Sequence, residues 1–443
     1  MSAPKGHWLL GHIPGLRDRP LQFLSACEAP MARLRMGVTA WLLLEPQDIA
    51  HVLEHTDDNY TKGRAFHFGK KLYGNSLLIS EGKEHQQQVR EFGSVFFRHA
   101  AHDFLEQTPE ISLRLLESWQ ADSRLNLYKA MLDLMIGISS QAVFGDDWLP
   151  SWLNRSTGPN ADSLLASFDA AMAYVAEQNF SLFPLPDWIP TPRNRRYRKA
   201  IDRLNEAFAI SLRKRRSGES SGGFLSRLLA AHNEQQQPFT DTELRDQSLI
   251  FLLGGYESSA TSLSWMFLLL DHYEEIRNRV LEEIKKHIGD RLPEAADARK
   301  LTYTGQFISE SLRLYPAPWL IPRSAKQADQ LPSGIQLPAG ALIFLSPWRT
   351  HRDVRFFPKP TKFDPERFAK DREQTWPEGA YFPFSYGSRR CTGETISRQQ
   401  MALILATLLP RVRLRWHEDE LPAPKPVLTL RPPNPLWVQV EKR

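Results

Sequence analysis

The stretch that decides the fold of this chain is Phe384-Ser385-Tyr386-Gly387-Ser388-Arg389-Arg390-Cys391-Thr392-Gly393. It contains one of only two cysteines among 443 residues. Gly387 and Gly393 allow a tight turn and a close approach of the backbone to a large flat ligand. A helical pattern follows Gly393, so Cys391 is predicted near a helix N-terminus, where the helix dipole favours a thiolate.

The side chains around the cysteine are suited to a metal-bound thiolate. Arg389 places a positive charge two residues before the sulfur of Cys391. The ring of Phe384 can cover this sulfur. This pattern is compatible with a haem ligated by cysteine. The stretch resembles the haem-binding loop of the cytochrome P-450 family, in which Cys391 matches the axial thiolate. The resemblance further implies that Phe384 is the covering aromatic residue and that Arg389 contacts a haem propionate.

Composition restricts the class of protein. With 42% hydrophobic and 24% charged residues, the chain is typical of a soluble globular protein. A net charge of +5 is too small and too dispersed to indicate nucleic-acid binding. Cys27 and Cys391 form neither a disulfide framework nor a zinc pattern, so a reducing, cytoplasmic setting is expected. Residues 1–30 contain no apolar run of about 18 residues, which predicts no membrane anchor and a soluble, bacterial-type member.

A second pattern lies inside the longest predicted helix, residues 241–287. A glycine pair ending at Gly255 destabilises a helix by roughly 1 kcal/mol per glycine. Residues that disfavour the structure around them are expected where function requires them. In the family, this centre belongs to the oxygen-activating helix. Gly255 and Glu257 match the family pattern, whereas Ser258 stands where threonine is usual. Ser258 with Glu257 would deliver protons, and Thr261, one turn further on, is the alternative hydroxyl.

Two further motifs predict a structural ion-pair cluster. Glu310 and Arg313 are three residues apart, so their side chains share one helical face. Downstream, Arg367 lies in a Pro-Glu-Arg-Phe motif. The resemblance implies that these three residues form a buried triad behind the haem. It also places Arg323, in the strand after the Glu310 helix, at a propionate-binding position.

The helix predicted to begin after Gly82 carries two more candidates for cofactor binding, His85 and Arg90. The family has a Trp or His near this helix start and an Arg four residues later. His85 matches this pattern, but the position four later is Val89. Arg90 is one residue further on, which turns its side chain by about 100°.

The resemblance implies a mainly α fold with small β-sheets. This is the cytochrome P-450 fold, a triangular single unit with haem between the long distal helix and the proximal helix of the cysteine loop. Residues 1–443 are expected to form one domain. Its β-rich part would comprise roughly 1–60, 315–350 and 411–443, and its α-rich part roughly 80–314 and 394–410. Strand-like patterns predict hairpins at 31–44 and 335–346.

The resemblance implies a haem-thiolate monooxygenase with haem b as cofactor. Such an enzyme uses O2 and two electrons to hydroxylate a lipophilic substrate. The electrons would come from a separate ferredoxin or flavodoxin with an NAD(P)H reductase. Arg389, Arg390 and Arg398 could present a basic face to such an acidic partner. A monomer without nucleic-acid partners is expected. A basic run at 193–199 is either a solvated helix start or a segment that faces a membrane or lines the substrate entry.

The substrate is predicted from apolar and aromatic residues near the expected pocket. Three cations, Arg64, Lys70 and Lys71, could hold a carboxylate at its mouth. These features favour a long-chain fatty acid ahead of a terpenoid, a carotenoid or another apolar small molecule. The candidate pocket residues are Phe66, Phe68, Leu72, Tyr73, Phe180, Leu182, Tyr256, Trp319 and Leu320.

Two functions from other classes remain as alternatives. One is a haem-binding sensor or carrier without turnover, against which the Glu257-Ser258 pair argues. The other is an isomerase or dehydratase of lipid hydroperoxides, which needs no electrons. A requirement for NAD(P)H and a reductase would distinguish the monooxygenase from both.

Overall fold

The computed structural model describes residues 3–63, 68–96, 101–145, 160–180, 185–370, 372 and 376–443. The protein is mainly α with small β-sheets. The helices are α1 (Ile13–Asp18), α2 (Pro20–Ser25), α3 (Pro46–Glu54), α4 (Lys70–Tyr73), α5 (Gly82–Val95), α6 (Ala101–Ser118), α7 (Leu127–Phe144), α8 (Asn160–Phe180), α9 (Pro192–Arg216), α10 (Gly223–Ala230), α11 (Asp241–His272), α12 (Glu274–His287), α13 (Thr302–Leu314), α14 (Pro347–Thr350) and α15 (Glu394–Leu408). The strands are β1 (Met31–Arg35), β2 (Thr39–Leu43), β3 (Tyr60–Thr61), β4 (Arg124–Asn126), β5 (Ile321–Ala325), β6 (Asp329–Gln330), β7 (Gln336–Leu337), β8 (Leu342–Leu345), β9 (Val412–Arg415), β10 (Lys425–Pro426), β11 (Leu430–Arg431) and β12 (Trp437–Lys442).

The described residues form two compact units, each assembled from separate chain segments. The first unit comprises those within Met1–Ala65, Thr302–Glu394 and Pro422–Pro432. The second comprises those within Phe66–Leu301, Thr395–Leu421 and Pro433–Arg443. The single domain expected from the sequence over 1–443, with its β-rich and α-rich parts, stays a prediction.

The first unit contains a five-stranded sheet in the order β1-β2-β8-β5-β3. Strands β1 and β2 are antiparallel with Met31 opposite Leu43, so the hairpin predicted at 31–44 is confirmed. Strand β8 pairs parallel to β2 and antiparallel to β5. Apolar side chains from these strands and from α3 form one hydrophobic core of this unit.

The hairpin predicted at 335–346 is wrong. Strand β7 pairs with β6 instead, with Gln336 opposite Gln330. Strand β8 has β2 on one edge and β5 on the other, so no edge remains for β7. The turn between β7 and β8 contains Gly340, whose backbone N–H donates to the carbonyl of Ala325 at 2.9 Å. This turn separates the two strands rather than pairing them.

The second unit is built around α11, which packs along α7. Most side chains of α7 are buried, in keeping with a helix that is apolar on nearly all sides. Helix α11 begins where the sequence predicts, at a capping box. The Thr240 hydroxyl accepts from the Glu243 backbone N–H at 3.3 Å, and a Glu243 carboxylate oxygen accepts from the Thr240 N–H at 2.8 Å. Strands β4, β12 and β9 form a three-stranded antiparallel sheet in this unit.

The single helix predicted over 241–287 is wrong, because the chain leaves helical geometry at Tyr273. This residue has φ −106° and ψ 84°, so α11 ends at His272 and α12 begins at Glu274. The two acids at the start of α12 and the basic residues at its end complement its own dipole. The segment after Tyr273 is therefore a separate helix with its own charge pattern.

The first unit brings the predicted triad of Glu310, Arg313 and Arg367 together. Glu310 and Arg313 are fully buried, and their Oε2 and Nε atoms are 2.7 Å apart. A second hydrogen bond joins Arg313 Nη2 to Glu310 Oε1 at 2.9 Å. Arg367 Nε lies 3.4 Å from Glu310 Oε1, and the same oxygen accepts the Asp364 backbone N–H at 2.8 Å. One buried carboxylate thus joins α13 to the Pro-Glu-Arg-Phe turn.

The guanidinium of Arg313 also binds the backbone of the segment between α14 and that turn. Its Nη1 donates to the carbonyls of His351 and Pro360 at 2.7 and 2.8 Å. Its Nη2 donates to the carbonyl of Lys362 at 3.3 Å. Few other residue types could satisfy three buried carbonyls and a carboxylate at once, because only guanidinium offers five donors in a fixed plane.

We predict that Glu310→Gln lowers the free energy of unfolding by roughly 3–5 kcal/mol, the cost of leaving a buried charge without its partner. Denaturant unfolding followed by circular dichroism measures this change. The matched control is Glu110→Gln, which removes the carboxylate of an exposed pair with Arg114. That variant should change stability by less than about 0.5 kcal/mol, since exposed pairs contribute little. Equal effects of the two substitutions would contradict a structural role for Glu310.

Candidate functional site

The cysteine loop of the first unit is closed by backbone hydrogen bonds. The N–H of Cys391 donates to the carbonyl of Phe384 at 2.8 Å. A short 3-10 turn at Gly387–Arg389 lies inside this closure, and the Arg390 N–H donates to the carbonyl of Gly387 at 3.0 Å. Cys391 therefore sits at the end of a compact loop, just before α15.

Gly387 fixes the loop against α3. Its φ is +67°, a conformation that side-chain-bearing residues rarely adopt. A Cβ atom at this position would lie 2.5 Å from the Leu53 carbonyl oxygen and 2.6 Å from Glu54 Cα. Both contacts are with backbone, which cannot move aside cheaply. The motif glycine is thus required by packing within the protein.

The thiol of Cys391 has a pKa that is set by opposing effects of its surroundings. Its side chain reaches solvent, but desolvation by the surrounding protein raises the pKa of the thiol. The backbone N–H of Gly393 and the charge of Arg390 lower this pKa, and the charge of Glu394 raises it further. A bound cation displaces the proton of such a thiol outright. Among the described residues no group of three or more His, Cys, Asp or Glu side chains could hold a bare metal ion.

Arg389, predicted to contact a haem propionate, forms a buried ion pair with Asp57. The Nε atom of Arg389 donates to Asp57 Oδ1 at 2.9 Å, and both side chains are almost fully buried. Asp57 adopts φ +92° in the turn after α3, and the neighbouring Ser388 hydroxyl donates to the Thr56 carbonyl. The contact of Arg389 with a propionate stays a prediction.

Arg323 reaches the same turn from β5. Its Nε donates to Thr56 Oγ1 at 3.1 Å, and its Nη1 donates to the carbonyl of Pro322 at 2.8 Å. The structure therefore brings together the two arginines that the sequence assigns to propionates. Asp57 was missed by the sequence analysis, because its partner is 332 residues away. The only local signal is the acidic turn Asp57-Asp58-Asn59 after a helix.

In the second unit, the centre of α11 presents the predicted catalytic residues. Glu257 and Thr261 are buried, and Ser258 is partly exposed, its hydroxyl donating to the carbonyl of Gly254 at 3.1 Å. A Cβ atom on Gly255 would meet its nearest neighbour, Ser139 Oγ, at an ordinary 3.6 Å. Packing among the described residues therefore does not require the glycine at position 255.

The two candidates on α5 lie in different environments. His85 is 5% exposed, near the start of the helix. The side chain of Arg90 is 59% exposed, and its Nε lies 2.7 Å from Glu234 Oε1. Five helical residues turn the chain by about 140° beyond a full turn, so the two side chains do not share a face. Their contact with a propionate stays a prediction, and for Arg90 the structure shows a surface pair instead.

Several predicted substrate residues lie in the second unit. Phe68 is half-buried, Leu72 and Tyr73 are buried, and the Tyr73 hydroxyl donates to Met172 Sδ at 3.5 Å. The Tyr256 hydroxyl donates to Asp169 Oδ1 at 3.2 Å. Burial raises the pKa of both tyrosines, so their hydroxyls stay neutral. Outside the described residues and side chains lie Arg64, Phe66, Phe180 and Leu182.

Trp319 and Leu320 belong to the first unit. Trp319 is buried in a hydrophobic cluster there, and Leu320 packs against the same cluster. The indole N–H of Trp319 donates to the carbonyl of Val427 at 2.9 Å. Both residues thus contribute to the core, and their contact with a substrate stays a prediction.

The basic residues predicted to bind ligand or partner are partly neutralised. Lys71 Nζ lies 2.5 Å from Asp187 Oδ2. Arg390 is exposed and its Nε lies 2.7 Å from Glu394 Oε2. Arg389 is 9% exposed, so it cannot contribute to a basic surface as the sequence suggested. Arg398 is half-buried.

None of the described helices has both the length and the apolar character that crossing a bilayer requires.

Known proteins resemble this chain over nearly its whole length. The sequence profile of the family Cytochrome P-450 matches residues 1–440. Cyclooctat-9-en-7-ol 5-monooxygenase of Streptomyces melanosporofaciens is 32% identical, over 94% of this chain and 89% of that protein. Pentalenene oxygenase of Streptomyces avermitilis is 27% identical, over 100% of this chain and 97% of that protein.

Solved structures agree with this assignment at the level of the fold. The haem domain of cytochrome P-450DA superimposes with a TM-score of 0.88 at 21% identity, covering 99% of this chain and 97% of that one. The cysteine loop, the Glu310–Arg313 pair and the α11 centre thus occur together in a chain whose whole length matches one family. This protein belongs to the cytochrome P-450 family.

Proposed function

We propose that this cytochrome P-450 monooxygenase oxidises a neutral terpenoid, either a cyclic hydrocarbon or its alcohol. The observation that carries the proposal is the 32% identity, over 94% of this chain, to an enzyme named for the oxygenation of cyclooctat-9-en-7-ol. A relative named for pentalenene, also a terpenoid, matches 100% of the chain. A long-chain fatty acid, which the sequence analysis favoured, becomes the less supported alternative.

Charge on the described residues of the predicted pocket mouth also favours a neutral substrate. A fatty acid needs a cation with an unsatisfied charge for its carboxylate. Lys71, one of the three cations proposed for that role, is already paired with Asp187 at 2.5 Å. Lys70 is exposed to solvent, where a charge pair contributes little to binding. Leu72, Tyr73 and Tyr256 offer apolar surface with neutral hydroxyl groups, which is chemistry suited to a terpene or its alcohol.

The cofactor is haem b, as in the family to which the chain belongs. We propose that Cys391 holds its iron through the sulfur, with Arg323, Arg389 and His85 near the propionates. When bound, haem with a thiolate ligand activates O2 for insertion of one oxygen atom into the substrate. The fit rests on the chain's own atoms, a desolvated thiol beside the N–H of Gly393 and two buried arginines on one turn.

The residues of α11 would supply the protons consumed in oxygen reduction. The Ser258 hydroxyl donates to the Gly254 carbonyl at 3.1 Å, so it would have to turn away from this carbonyl to donate its proton, while its oxygen accepts another from solvent. Glu257, one residue away and buried, would hold the proton reservoir. Thr261 offers a second hydroxyl one turn further on.

Electrons would come from a separate ferredoxin or flavodoxin and its NAD(P)H reductase.

We predict that Cys391→Ala abolishes the strongly red-shifted absorption band that a thiolate-ligated haem gives in its reduced, CO-bound form. The reason is that only the sulfur donates enough electron density to shift the band. Difference spectroscopy of the purified variant measures the loss. Cys27→Ala, which removes the other cysteine, is the control and should keep the band. A red-shifted band in Cys391→Ala would contradict the ligand assignment.

We predict that terpenes and terpene alcohols convert the ferric haem to its high-spin form on binding, whereas saturated fatty acids of any chain length do not. A neutral ligand can displace water from an apolar pocket without leaving a carboxylate unpaired. Spectral titration with both series measures the difference. Mass spectrometry should then detect one added oxygen atom, in a reaction that requires NAD(P)H and a reductase.

The opposite ranking of ligands would favour the fatty-acid alternative. Product formed without any electron donor would instead indicate an isomerase or a dehydratase. Lys71→Gln serves as the matched charge control, and it should leave terpenoid binding unchanged.

We predict that Ser258→Ala lowers the product formed per NAD(P)H consumed by roughly 10²-fold, the lower end of general acid–base effects. Ser258→Thr, which keeps the hydroxyl, should form about as much product per NAD(P)H as the wild type. Product and hydrogen peroxide are quantified together, because electrons that are not used to oxidise the substrate reduce O2 to peroxide. Thr261→Val is the comparison at the alternative hydroxyl. If only Thr261→Val uncouples the reaction, Ser258 is not the proton donor.

A further inference from the structure

A group of exposed apolar side chains lies near the N-terminus of the first unit. Trp8 is 80% exposed, Leu9 68% and Leu10 41%. Val38, in the turn between β1 and β2, is 61% exposed. These four are among only nine large apolar side chains that are exposed in the described part of the chain. Single exposed apolar residues are ordinary, whereas a group of them marks an interaction surface.

Trp8, Leu9 and Leu10 form the tip of a tight turn that His7 and Gly11 close. The His7 N–H donates to the Gly11 carbonyl at 2.7 Å, and the Gly11 N–H donates to the His7 carbonyl at 3.0 Å. Inside the turn, the N–H groups of Leu9 and Leu10 donate to Nδ1 of the His7 ring at 3.2 and 3.1 Å. The turn thus satisfies these two donors at its apolar tip without a partner from outside.

This turn is fixed to the hairpin of β1 and β2. The His12 N–H donates to the Arg35 carbonyl at 2.8 Å, and the Arg35 N–H donates to His12 Nδ1 at 2.8 Å. Gly11 adopts φ +60°, and a Cβ atom there would lie 2.2 Å from the Arg35 carbonyl oxygen. Trp8 and Val38 are each three residues along the chain from this contact, so both tips lie close to it. A surface held in this way loses little conformational freedom on binding.

The charges carried by these two turns and their flanks are positive. Residues 3–16 and 31–44 contain three cations and no acid. All three cations are exposed, and the next two charges along the chain, Arg17 and Asp18, pair with each other at 2.8 Å. The N-terminal surface thus combines the apolar Trp8, Leu9, Leu10 and Val38 with the cations Lys5, Arg33 and Arg35.

We propose that the N-terminal surface docks the protein on an anionic lipid bilayer. The apolar tip would enter the boundary between head groups and acyl chains, where tryptophan is favoured, and the cations would contact lipid phosphates. This contact involves one leaflet and requires no spanning helix.

Two features of the turn favour lipid over a protein as the occupant of this surface. Acyl chains offer no hydrogen-bond partners, so a tip whose donors are satisfied by His7 can enter them at low cost. The tip is also convex, which suits a fluid surface, whereas a protein partner would need a pocket of matching shape.

Co-sedimentation of the holoenzyme with vesicles tests the proposal. Vesicles of equal parts phosphatidylcholine and phosphatidylglycerol should bind the protein, and vesicles of phosphatidylcholine alone should bind it more weakly. Trp8→Ser/Leu9→Ser should lower the partition coefficient for the anionic vesicles by at least about 10-fold, because two large apolar side chains no longer leave water. Both side chains are exposed, so this variant should keep the Tm of the wild type.

Trp188→Ser is the matched apolar control, since Trp188 is 71% exposed beside the basic run at 193–199 of the second unit. It should leave binding unchanged. Arg33→Gln/Arg35→Gln should weaken binding to the anionic vesicles several-fold, whereas Arg195→Gln/Arg196→Gln, at exposed positions of α9, should not. Binding that is lost only in the Trp188 or α9 variants would assign the contact to the second unit and overturn the proposal.

Tryptophan fluorescence locates the inserted residue. Phosphatidylcholine brominated in its acyl chains should quench part of the emission of the bound holoenzyme, and Trp8→Phe should remove most of this quenching while Trp188→Phe keeps it. Failure of the wild type to bind either kind of vesicle would overturn the proposal. So would a dimer, detected by sedimentation velocity, that the wild type forms and Trp8→Ser/Leu9→Ser does not, because a second copy would then cover the surface.

Discussion

The first unit depends on one buried guanidinium, that of Arg313. Its pairing with Glu310 satisfies the charge, and its remaining donors hold the backbone that leads towards the cysteine loop. The ring of His351 continues the connection, since its Nε2 accepts the Phe382 backbone N–H at 3.0 Å and its Nδ1 donates to the Arg313 carbonyl at 3.2 Å. Burial, and then the charge of Arg313, lowers the pKa of His351, so the ring stays neutral and can accept. Phe382 is in turn only nine residues before Cys391.

The cysteine loop is held from its other side by α3 and the turn that follows it. Gly387 permits contact with the backbone of Leu53, and Arg389 closes on the carboxylate of Asp57. The resemblance to the family assigns both of these motif residues to the cofactor. Here each also has a partner within the protein, so the same residue types that suit a haem build the loop that presents Cys391.

The sequence predicted those features that depend on residues close together in the chain. The turn glycines around Cys391, the shared face of Glu310 and Arg313, and the capped start of α11 are all local. Features that depend on distant partners were missed or wrong. No local pattern indicates that Asp57 pairs with Arg389, or that β8 pairs with β2 and β5 rather than with β7. The helix break at Tyr273 was missed because no glycine or proline lies near it, and only the charge pattern of α12 hints at it.

The parallel pairing of β2 with β8 has a consequence for how the protein is made. Ala40 and Leu342 are opposite each other although about 300 residues separate them in the chain. At ribosomal rates of roughly 5–20 residues per second, β2 emerges about 15–60 s before its neighbour. During that interval the β2 edge of the hairpin lacks the partner that it has in the folded sheet, which is an aggregation hazard. The central segment of the second unit is complete earlier, so we expect nascent chains to depend on chaperones mainly at their N-terminal sheet.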